Sequence, residues 1–234
     1  MSDIRLFQIP EHECSYLTDQ LASTVFVDPE LPISQALLSD LSRIGFRRSG
    51  EHVYRPHCPS CSACIPTRII ASQFTPSRSQ ARTRSKNQDL SMEILQPLGT
   101  DEIYALYARY ISARHQDGDM YPPSREQFDS FLLGDVPTQR FLAFRLRHKL
   151  VAIMVADELD DGWSAVYSFF EPDLAARSLG TFMILRLIEL SQQRTLPYVY
   201  LGYYIKDCGK MNYKLNFSPC QQYRDKKWAV SQAS

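Results

Sequence analysis

Hydrophobic and polar residues alternate with two periods along the chain, and each period predicts a kind of element. From Thr181 the apolar residues fall mostly on one broad face at helical spacing, which predicts a helix of about three turns. The runs Ser164–Phe170 and Tyr198–Tyr204 are aromatic and β-branched, which is typical of strands. Pro172 ends the first run because proline lacks an N–H. The order strand, turn, helix, strand predicts a crossover between two parallel strands.

Helices and antiparallel strands are predicted in the rest of the chain. Ser34, Thr100 and Ser124 are each placed to cap a helix. Strands are predicted at 65–74, 90–95, 141–146 and 150–156, and a hairpin at 46–54. We therefore predict an α/β (α+β) fold with two parts. In residues 91–234 the order of helices, an antiparallel run and a parallel crossover resembles an acetyltransferase-like (GNAT) domain, which implies a mixed sheet with flanking helices, and residues 1–90 are predicted to form a smaller, basic, cysteine-containing domain.

Composition fits a folded chain of one large or two small domains. Apolar residues make up 44% and aromatic residues 12% of 234 residues, which argues against extensive disorder. No apolar run approaches the length of a membrane span, and the residues after Met1 form no apolar signal core. We therefore expect a cytoplasmic protein without a membrane partner.

The net charge is zero, but the charges are unevenly distributed. Residues 43–86 contain nine Lys or Arg and one acid, and residues 206–227 contain six and two. Residues 101–173 contain thirteen acids and seven bases. Such runs usually form solvated surfaces. Two basic clusters around an acidic middle also suit a partner whose phosphate backbone crosses two domains.

Three cysteines stand at two-residue intervals in the N-terminal part. Cys58, Cys61 and Cys64, with the distant Cys14, could converge on a zinc ion or an iron–sulfur cluster. Disulfides are the poorer explanation for a cytoplasmic chain. The alternative is that these are small buried apolar residues.

Several basic positions are candidates for phosphate contact. Arg78 and Arg82 lie four apart in a segment that is either a helix or a flexible linker. Lys206, Lys210 and Lys214 are also four apart, so a helical turn would align them as a ridge facing RNA. The groups suited to single-stranded RNA that interleave with this ridge are Asn212 and Tyr213.

The turn Arg177-Ser-Leu-Gly-Thr181 precedes the predicted helix. There, free N–H groups and the helix dipole would face an anion, so Arg177 and Gly180 are candidates for contact with a phosphate. The alternative is an entry turn with Thr181 as the N-cap. The pattern resembles the Arg/Gln-x-x-Gly-x-Gly/Ala loop of acetyltransferase-like folds, with Phe182 in place of the last small residue.

Longer motifs narrow the resemblance. The turn, Gly202-Tyr-Tyr-Ile-Lys-Asp-Cys208 and Lys210-Met-Asn-Tyr-Lys214 together resemble the C-terminal domain of the arginyl-tRNA–protein transferase family. The segment Arg55-Pro-His-Cys-Pro-Ser-Cys-Ser-Ala-Cys-Ile-Pro-Thr-Arg68 resembles its N-terminal domain. The short form is most similar to the bacterial, leucine-transferring branch. The resemblance supports a metal or cluster near the cysteines without fixing which.

This resemblance implies transfer of leucine from Leu-tRNA to proteins with N-terminal Asp or Glu, which marks them for degradation in the N-degron pathway. No P-loop or nucleotide fingerprint occurs, so we expect no nucleotide cofactor. An enzyme that forms a peptide bond without ATP must receive an activated acyl group, and an aminoacyl ester is one. The protein need only position the partners, accept a proton and stabilise an oxyanion.

Three residues at the end of the central strand are catalytic candidates. Glu171 is the candidate base for the attacking amine, with a polar turn residue as the alternative. Tyr167 and Ser168 are candidates for contact with the acyl group or the 3′ adenosine, although Tyr167 also suits the core. Burying the acceptor carboxylate requires a cation, for which Arg47 and Arg68 are candidates.

Other functions stay open at this point. Arginine could be the transferred residue, since the choice of leucine depends on resemblance alone. An acetyl-CoA-dependent N-acetyltransferase would use the same fold, but Phe182 and the basic clusters disfavour it. A non-catalytic RNA-binding protein that senses metal or redox state would be built on the cysteines.

Overall fold

The fold is seen in a computed structural model, which describes residues 4–116, 118, 120–134 and 136–231. Its strands are β1 (Leu6–Gln8), β2 (His12–Glu13), β3 (Leu21–Ala22), β4 (Thr24–Val27), β5 (Arg47–Ser49), β6 (His52–Pro56), β7 (Ile65–Ile70), β8 (Leu90–Leu95), β9 (Gln139–Leu146), β10 (Lys149–Leu159), β11 (Gly162–Phe170), β12 (Tyr198–Tyr204), β13 (Cys220–Arg224) and β14 (Lys227–Val230). Its α-helices are α1 (Gln35–Arg43), α2 (Arg78–Lys86), α3 (Asp101–Arg114), α4 (Arg125–Leu132) and α5 (Leu179–Gln193). Short 3₁₀ helices cover Ala71–Gln73, Pro172–Arg177 and Asn212–Asn216.

The sheets are mixed and the predicted crossover is present. An eight-stranded sheet has the order β14-β13-β7-β12-β11-β10-β9-β8, and a four-stranded sheet has the order β1-β4-β6-β5. β11 and β12 pair in parallel, with α5 as the crossover, and the other neighbouring strands pair antiparallel. The predicted α/β class, with an acetyltransferase-like mixed sheet and flanking helices, is confirmed. Among the described residues, no helix has the length and apolarity needed to cross a membrane.

Helices cover both faces of the large sheet. On one face α5 buries an apolar stripe that includes Phe182, Met183 and Leu187 against the sheet. On the other face α3 and α4 pack Tyr107 and Phe128 against β10 and β11. Burying apolar surface stabilises the folded state by about 25 cal/mol for each Å² removed from water, so these faces supply much of the driving force for folding. A third core joins α1 to the small sheet.

Local sequence signals place most helix ends correctly. Ser34, Thr100 and Ser124 each accept a hydrogen bond from a backbone N–H in the first turn. Ser77 and Gln80 form a capping box, so the segment with Arg78 and Arg82 is a helix rather than a flexible linker. The strand predicted at 65–74 is shorter, because the chain turns into a 3₁₀ helix after Ile70.

The large sheet crosses the predicted domain boundary at residue 90. β7, from the N-terminal part, lies between β12 and β13, with Ile69 opposite both Val199 and Cys220. The division into residues 1–90 and 91–234 stays a prediction, and its outermost residues, 1–3 and 232–234, lie outside the described residues. A strand of the first part is therefore an interior strand of the second.

A buried ion pair also joins the two sheets. Arg48, on β5, and Asp157, on β10, each expose 1% of their side chain. Arg48 Nη2 donates to Asp157 Oδ1 over 2.8 Å and Nε donates to Oδ2 over 2.9 Å. Thr138 donates to the same carboxylate, and Arg48 also donates to the carbonyl of Gly50. Each charge has an opposite charge beside it, which offsets the cost of burial.

Candidate active site

A cleft of about 1170 Å³ opens where β11 and β12 separate. The two strands pair from Gly162 opposite Tyr198 to Ser164 opposite Tyr200. Beyond that register both strands line the cleft, together with β5, the beginning of α2, the end of α3 and residues between 210 and 217. Ligands of α/β folds bind at the carboxyl ends of parallel strands, so this cleft is the candidate active site.

The charged side chains of the cleft have one sign. None of the described residues that line it is Asp or Glu, and its Lys and Arg side chains are Arg47, Arg48, Arg114, Lys210 and Lys214. Arg48 is neutralised by its interior partner, whereas Arg47, Arg114 and Lys214 have no carboxylate partner among the described residues. A cleft lined in this way concentrates anions.

Arg47 reaches from β5 to the point where β11 and β12 separate. Its Nη1 donates to Ser164 Oγ over 2.8 Å, and its Nη2 donates to the carbonyl of Ala165. Gly202, on β12, has a φ of +77°, and a Cβ there would lie 2.8 Å from Arg47 Nε. Glycine is therefore required at this position for both its backbone conformation and the space it leaves.

Lys214 is a buried cation beside Arg47. Only 4% of the residue is exposed, and its Nζ lies 3.2 Å from Met211 Sδ and 5.1 Å from the ring centre of Tyr213. Burial, and secondarily the charge of Arg47, lowers the pKa of Lys214 from its ordinary 10.5 to about 8. The protonated amine therefore lacks the counter-charge that a buried ion needs.

Tyrosines supply much of the remaining polar lining. The hydroxyl of Tyr203 donates to the carbonyl of Gly45 over 3.0 Å. The hydroxyl of Tyr167 lies 3.6 Å from Met120 Sδ. Burial raises the pKa of Tyr54, Tyr167 and Tyr203, so all three stay neutral in the physiological range. They add hydrogen-bonding groups without adding charge.

About half of the residues predicted for catalysis or tRNA binding line this cleft. They are Tyr167, Ser168, Gly180, Lys210, Tyr213 and Lys214. Thr181 lines it too, but it is not the N-cap of α5, because the helix begins at Leu179 and Ser178 is the capping residue. Ser178 has a φ of +53°, so the chain enters the helix through a residue in the left-handed conformation. Gly180 therefore lies in the first turn of the helix.

Glu171 lies outside the cleft. Its side chain is 6% exposed and accepts hydrogen bonds from Arg109 Nη2 over 3.0 Å and Nε over 3.2 Å. Lys149 Nζ lies 3.4 Å from the same oxygen. Two cations therefore contact this carboxylate. The structure gives Glu171 a place in an ion-pair cluster, and its role as the base stays a prediction.

The predicted phosphate contacts of three arginines gain no support from their positions. Arg177 pairs with Asp89 over 2.7 Å and also donates to the carbonyl of Lys86, so its charge is already compensated. The exposed Arg78 and Arg82 lie on α2, whose first residues line the cleft without them. None of these three arginines lines the cleft.

The lysine ridge is corrected by the local backbone. A turn contains Lys206 and Lys210, and the 3₁₀ helix begins only at Asn212. Lys206 and Lys210 are exposed whereas Lys214 is buried. The spacing of four aligns side chains only in a continuous α-helix, and this segment is not one. Asn212 and Lys206 do not line the cleft.

The four predicted cysteine ligands come together but do not fit a metal site. Cys14, Cys58, Cys61 and Cys64 line a second, small cavity, which also contacts Tyr16. Burial, followed by the neighbouring thiols, raises the pKa of Cys64 to about 12. Among the described residues, no group of three or more His, Cys, Asp or Glu side chains is placed to hold an ion. The predicted zinc or iron–sulfur site is therefore unsupported.

Family comparisons decide the relationship. A sequence model described as "Arginine-tRNA-protein transferase, C terminus" matches residues 102–224, and the one described as "Arginine-tRNA-protein transferase, N terminus" matches residues 12–82. The chain belongs to the arginine-tRNA-protein transferase family. The segment that matches the C-terminal model contains most of the residues that line the cleft, and the segment that matches the N-terminal model contains the four cysteines and Arg47.

Curated relatives extend over nearly the whole chain. A protein of Marinobacter nauticus named "Aspartate/glutamate leucyltransferase" is 51% identical over 231 residues, which cover 97% of this chain and 98% of that relative. Proteins of the same name from Pseudomonas fluorescens and Saccharophagus degradans are 48% and 47% identical, with 97–98% of each chain covered. The resemblance predicted from the motifs is confirmed.

Solved structures are more distant. The C-terminal domain of a putative lysylphosphatidylglycerol synthetase from Agrobacterium fabrum aligns with 83% of this chain and 71% of its own, at 13% identity and a TM-score of 0.47. L-PGS from Bacillus licheniformis aligns with 61% and 47%, at 11% identity and a TM-score of 0.46. At this level of similarity neither neighbour bears on the activity of the family member described here.

Sequence reasoning missed several residues of the cleft. Arg114 and Tyr110 reach it from the end of α3, and Tyr54 reaches it from β6. In the sequence, nothing distinguishes these residues from other residues of a helix or a strand. These residues can be recognised only in three dimensions, because the cleft combines residues as far apart along the chain as Tyr16 and Phe217.

Proposed function

We propose that the chain transfers leucine from Leu-tRNA to the α-amine of proteins that begin with Asp or Glu, which marks them for degradation. Two observations support this proposal. The near full-length relatives carry the name aspartate/glutamate leucyltransferase. The cleft at the separated strands is cationic and, among its described residues, free of carboxylates. Both substrates present anions to it, the tRNA through phosphates and the acceptor through its side chain.

The charge of the cleft is the observation that carries the proposal. Exposed Arg114 and Lys210 stand where phosphates of the acceptor stem can reach them from solvent. Tyr213, which is 41% exposed, offers a ring on which a terminal base can stack, as single-stranded RNA sites commonly do. The carboxyl end of β11, with Tyr167 and Ser168, is the proposed place of the aminoacyl ester.

The proposed reaction exchanges one bond for another. The neutral α-amine of the acceptor attacks the ester carbonyl, the new C–N bond forms, and the C–O bond to the ribose breaks. The amine loses a proton and the departing ribose oxygen gains one, so the products are a lengthened polypeptide and uncharged tRNA. Because the ester is already activated, the cleft has to hold both partners together and stabilise the oxyanion. We assign no step to a metal or a nucleotide.

Labelled aminoacyl-tRNA tests the proposal directly. Peptides that begin with Asp, Glu, Lys or Ala are each mixed with radiolabelled Leu-tRNA or Arg-tRNA and the purified protein. We expect label only on the Asp and Glu peptides, and only from Leu-tRNA. Label from Arg-tRNA would show arginyl transfer, and label on no peptide would overturn the proposal in favour of a non-catalytic RNA-binding role.

A parallel measurement addresses the remaining alternative. Acetyl-CoA is added to the protein and the melting temperature is recorded, with Leu-tRNA as the positive control. We expect a shift with Leu-tRNA alone, because binding to the folded state stabilises it. A shift with acetyl-CoA and none with Leu-tRNA would instead favour an N-acetyltransferase. The proposed location of the reaction is the cytoplasm, where charged tRNA is found.

A further inference from the structure

Two cations deep in the cleft lack counter-ions. Arg47 donates only to neutral oxygens, those of Ser164 and Ala165. Lys214 is buried beside a thioether and an aromatic ring. The other two buried Lys or Arg side chains of the described residues are Arg48, which has Asp157 as its counter-ion, and Arg68, which lies outside the cleft and is held by aromatic rings and Gln221. The pair is built to receive an anion that the protein does not supply.

Burial distinguishes these two residues from the exposed cations of the cleft, because Arg47 is half-buried and Lys214 is buried. Lys210 and Arg114 are exposed, as residues that contact a phosphate backbone usually are. Lys214 is 4% exposed, so it is accessible only to a small group that enters the cleft. A carboxylate at the end of a short side chain fits that description, whereas a phosphate in a nucleic-acid backbone does not.

We propose that Arg47 and Lys214 bind the side-chain carboxylate of the acceptor's N-terminal Asp or Glu, an inference that rests on the proposed function. Arg68, the other candidate from the sequence, is excluded because it does not line the cleft and its guanidinium stacks 3.5 Å from the ring centre of Tyr198. Arg47 is the better placed of the two, since it reaches the end of the β11–β12 register.

The geometry orients the acceptor as well as selecting it. Two of the five N–H donors of Arg47 hold Ser164 and Ala165, and this fixes the guanidinium at the start of the separated strands. The remaining donors are free for a carboxylate. An N-terminal residue held there by its side chain would present its α-amine further along β11, toward Tyr167 and Ser168, where the ester is proposed to lie.

Selectivity then follows from the cost of an unpaired charge. An acceptor that begins with Asn or Gln has nearly the same shape but leaves both cations uncompensated in the closed site. Removing one partner of a buried, hydrogen-bonded charge pair typically reduces binding by a factor of about thirty or more. Exposed cations impose no such penalty, because water solvates them.

Peptide kinetics on single variants tests the inference. Peptides that differ only in their first residue, Asp, Asn, Glu or Gln, are assayed for kcat/KM at saturating Leu-tRNA. The variants are Lys214→Met, which keeps the length of the chain without its charge, and Arg47→Gln, which keeps a hydrogen-bond donor. The matched control is Lys206→Met, which removes an exposed lysine from outside the cleft. Leu-tRNA affinity and the unfolding transition are measured for each protein.

We expect the parent and Lys206→Met to prefer Asp over Asn strongly, and both cleft variants to reduce this ratio by about tenfold or more. Leu-tRNA affinity should stay close to that of the parent. If the variants lose rate equally on Asp and Asn, the two residues serve the chemistry or the fold and the inference is wrong. It is also wrong if the variants bind Leu-tRNA weakly and keep the ratio. A parent that transfers leucine without preferring Asp, or transfers none, would instead count against the proposed function.

Discussion

Arg47 and Arg48 are consecutive residues of one strand, yet they belong to two opposite environments. Side chains alternate across a strand, so Arg47 points into the cleft and Arg48 points into the interface between the sheets. Asp157 compensates Arg48 completely, and no carboxylate compensates Arg47. The comparison teaches that an arginine that stabilises the fold and one that awaits a ligand can be distinguished by their counter-charges, although they share one sequence context.

The largest effect is expected where the compensated pair is broken. Asp157→Ala leaves Arg48 buried without a partner, and we expect the free energy of unfolding to fall by about 3–5 kcal/mol. Urea denaturation measures it. Asp40→Ala is the control, because Asp40 forms an exposed pair with Arg43 whose loss should cost at most about 1 kcal/mol. Equal effects of the two substitutions would mean that the interface does not depend on this pair.

The uncompensated region should respond in the opposite direction. Lys214→Met removes a charge that burial disfavours, so the variant should be more stable than the parent at neutral pH. The shift of the pKa of Lys214 from 10.5 to about 8 corresponds to a difference of up to about 3 kcal/mol. The unfolded chain binds that proton more tightly than the folded protein does. The parent is therefore less stable than the variant by the full amount below pH 8, and this difference in stability disappears as the pH rises from 8 toward 10.5.

Unfolding of the two proteins at several pH values measures this difference. The difference between variant and parent isolates Lys214 from other groups that titrate in the same range. Lys206→Met should show no such trend, since Lys206 is exposed. A destabilised Lys214→Met at pH 7 would mean that contacts of this side chain outweigh its unpaired charge.

The cluster around Glu171 sharpens the comparison, because it is compensated and lies outside the cleft. Glu171→Gln weakens the contacts with Arg109 and Lys149, and we expect a stability loss of about 1–3 kcal/mol. Loss of a general base typically costs 10²–10⁴ in rate, so a fall of that size in leucine transfer by the folded variant would support the predicted role of Glu171 as the base. A rate close to that of the parent would show that Glu171 serves the fold alone.

The smallest effect on stability is expected at the glycine that makes room for Arg47. Gly202→Ala forces a φ of +77° on a residue with a Cβ and displaces the guanidinium, which should cost about 1–2 kcal/mol. The same change should lower the preference for Asp over Asn. Gly209→Ala is the matched control, because a Cβ there would meet nothing within 4 Å. Unaltered selectivity in Gly202→Ala would show that Arg47 need not hold its position.

Much of the fold could be predicted because it follows local rules. The strand Tyr198–Tyr204 was predicted with the bounds that it has, since its aromatic and β-branched residues are bounded by a proline and a polar turn. The helix caps Ser34, Thr100 and Ser124 are also confirmed, because a cap depends only on residues within one helical turn. The position of β7 could not be read in this way, because strand order depends on pairing between distant segments.

The site was harder to predict because sequence spacing does not reveal burial. Three lysines at intervals of four suggested one exposed ridge, but the chain turns between them and buries the last. Glu171 follows the expected end of a strand, and yet the side chains that contact it, Arg109 on α3 and Lys149 on β10, are cations. Arg47 was named among the candidates for the acceptor carboxylate, but only the surroundings in three dimensions distinguish it from Arg68.

The place of β7 within the large sheet has a consequence for biosynthesis. Ile69 emerges from the ribosome about 150 residues before Cys220, the partner that completes its pairing on one side. Before Cys220 is synthesised, the apolar segment of β7 remains in the nascent chain with unpaired backbone groups, where it can aggregate or bind chaperones. We therefore expect this protein to fold late and all at once rather than in halves as it is translated.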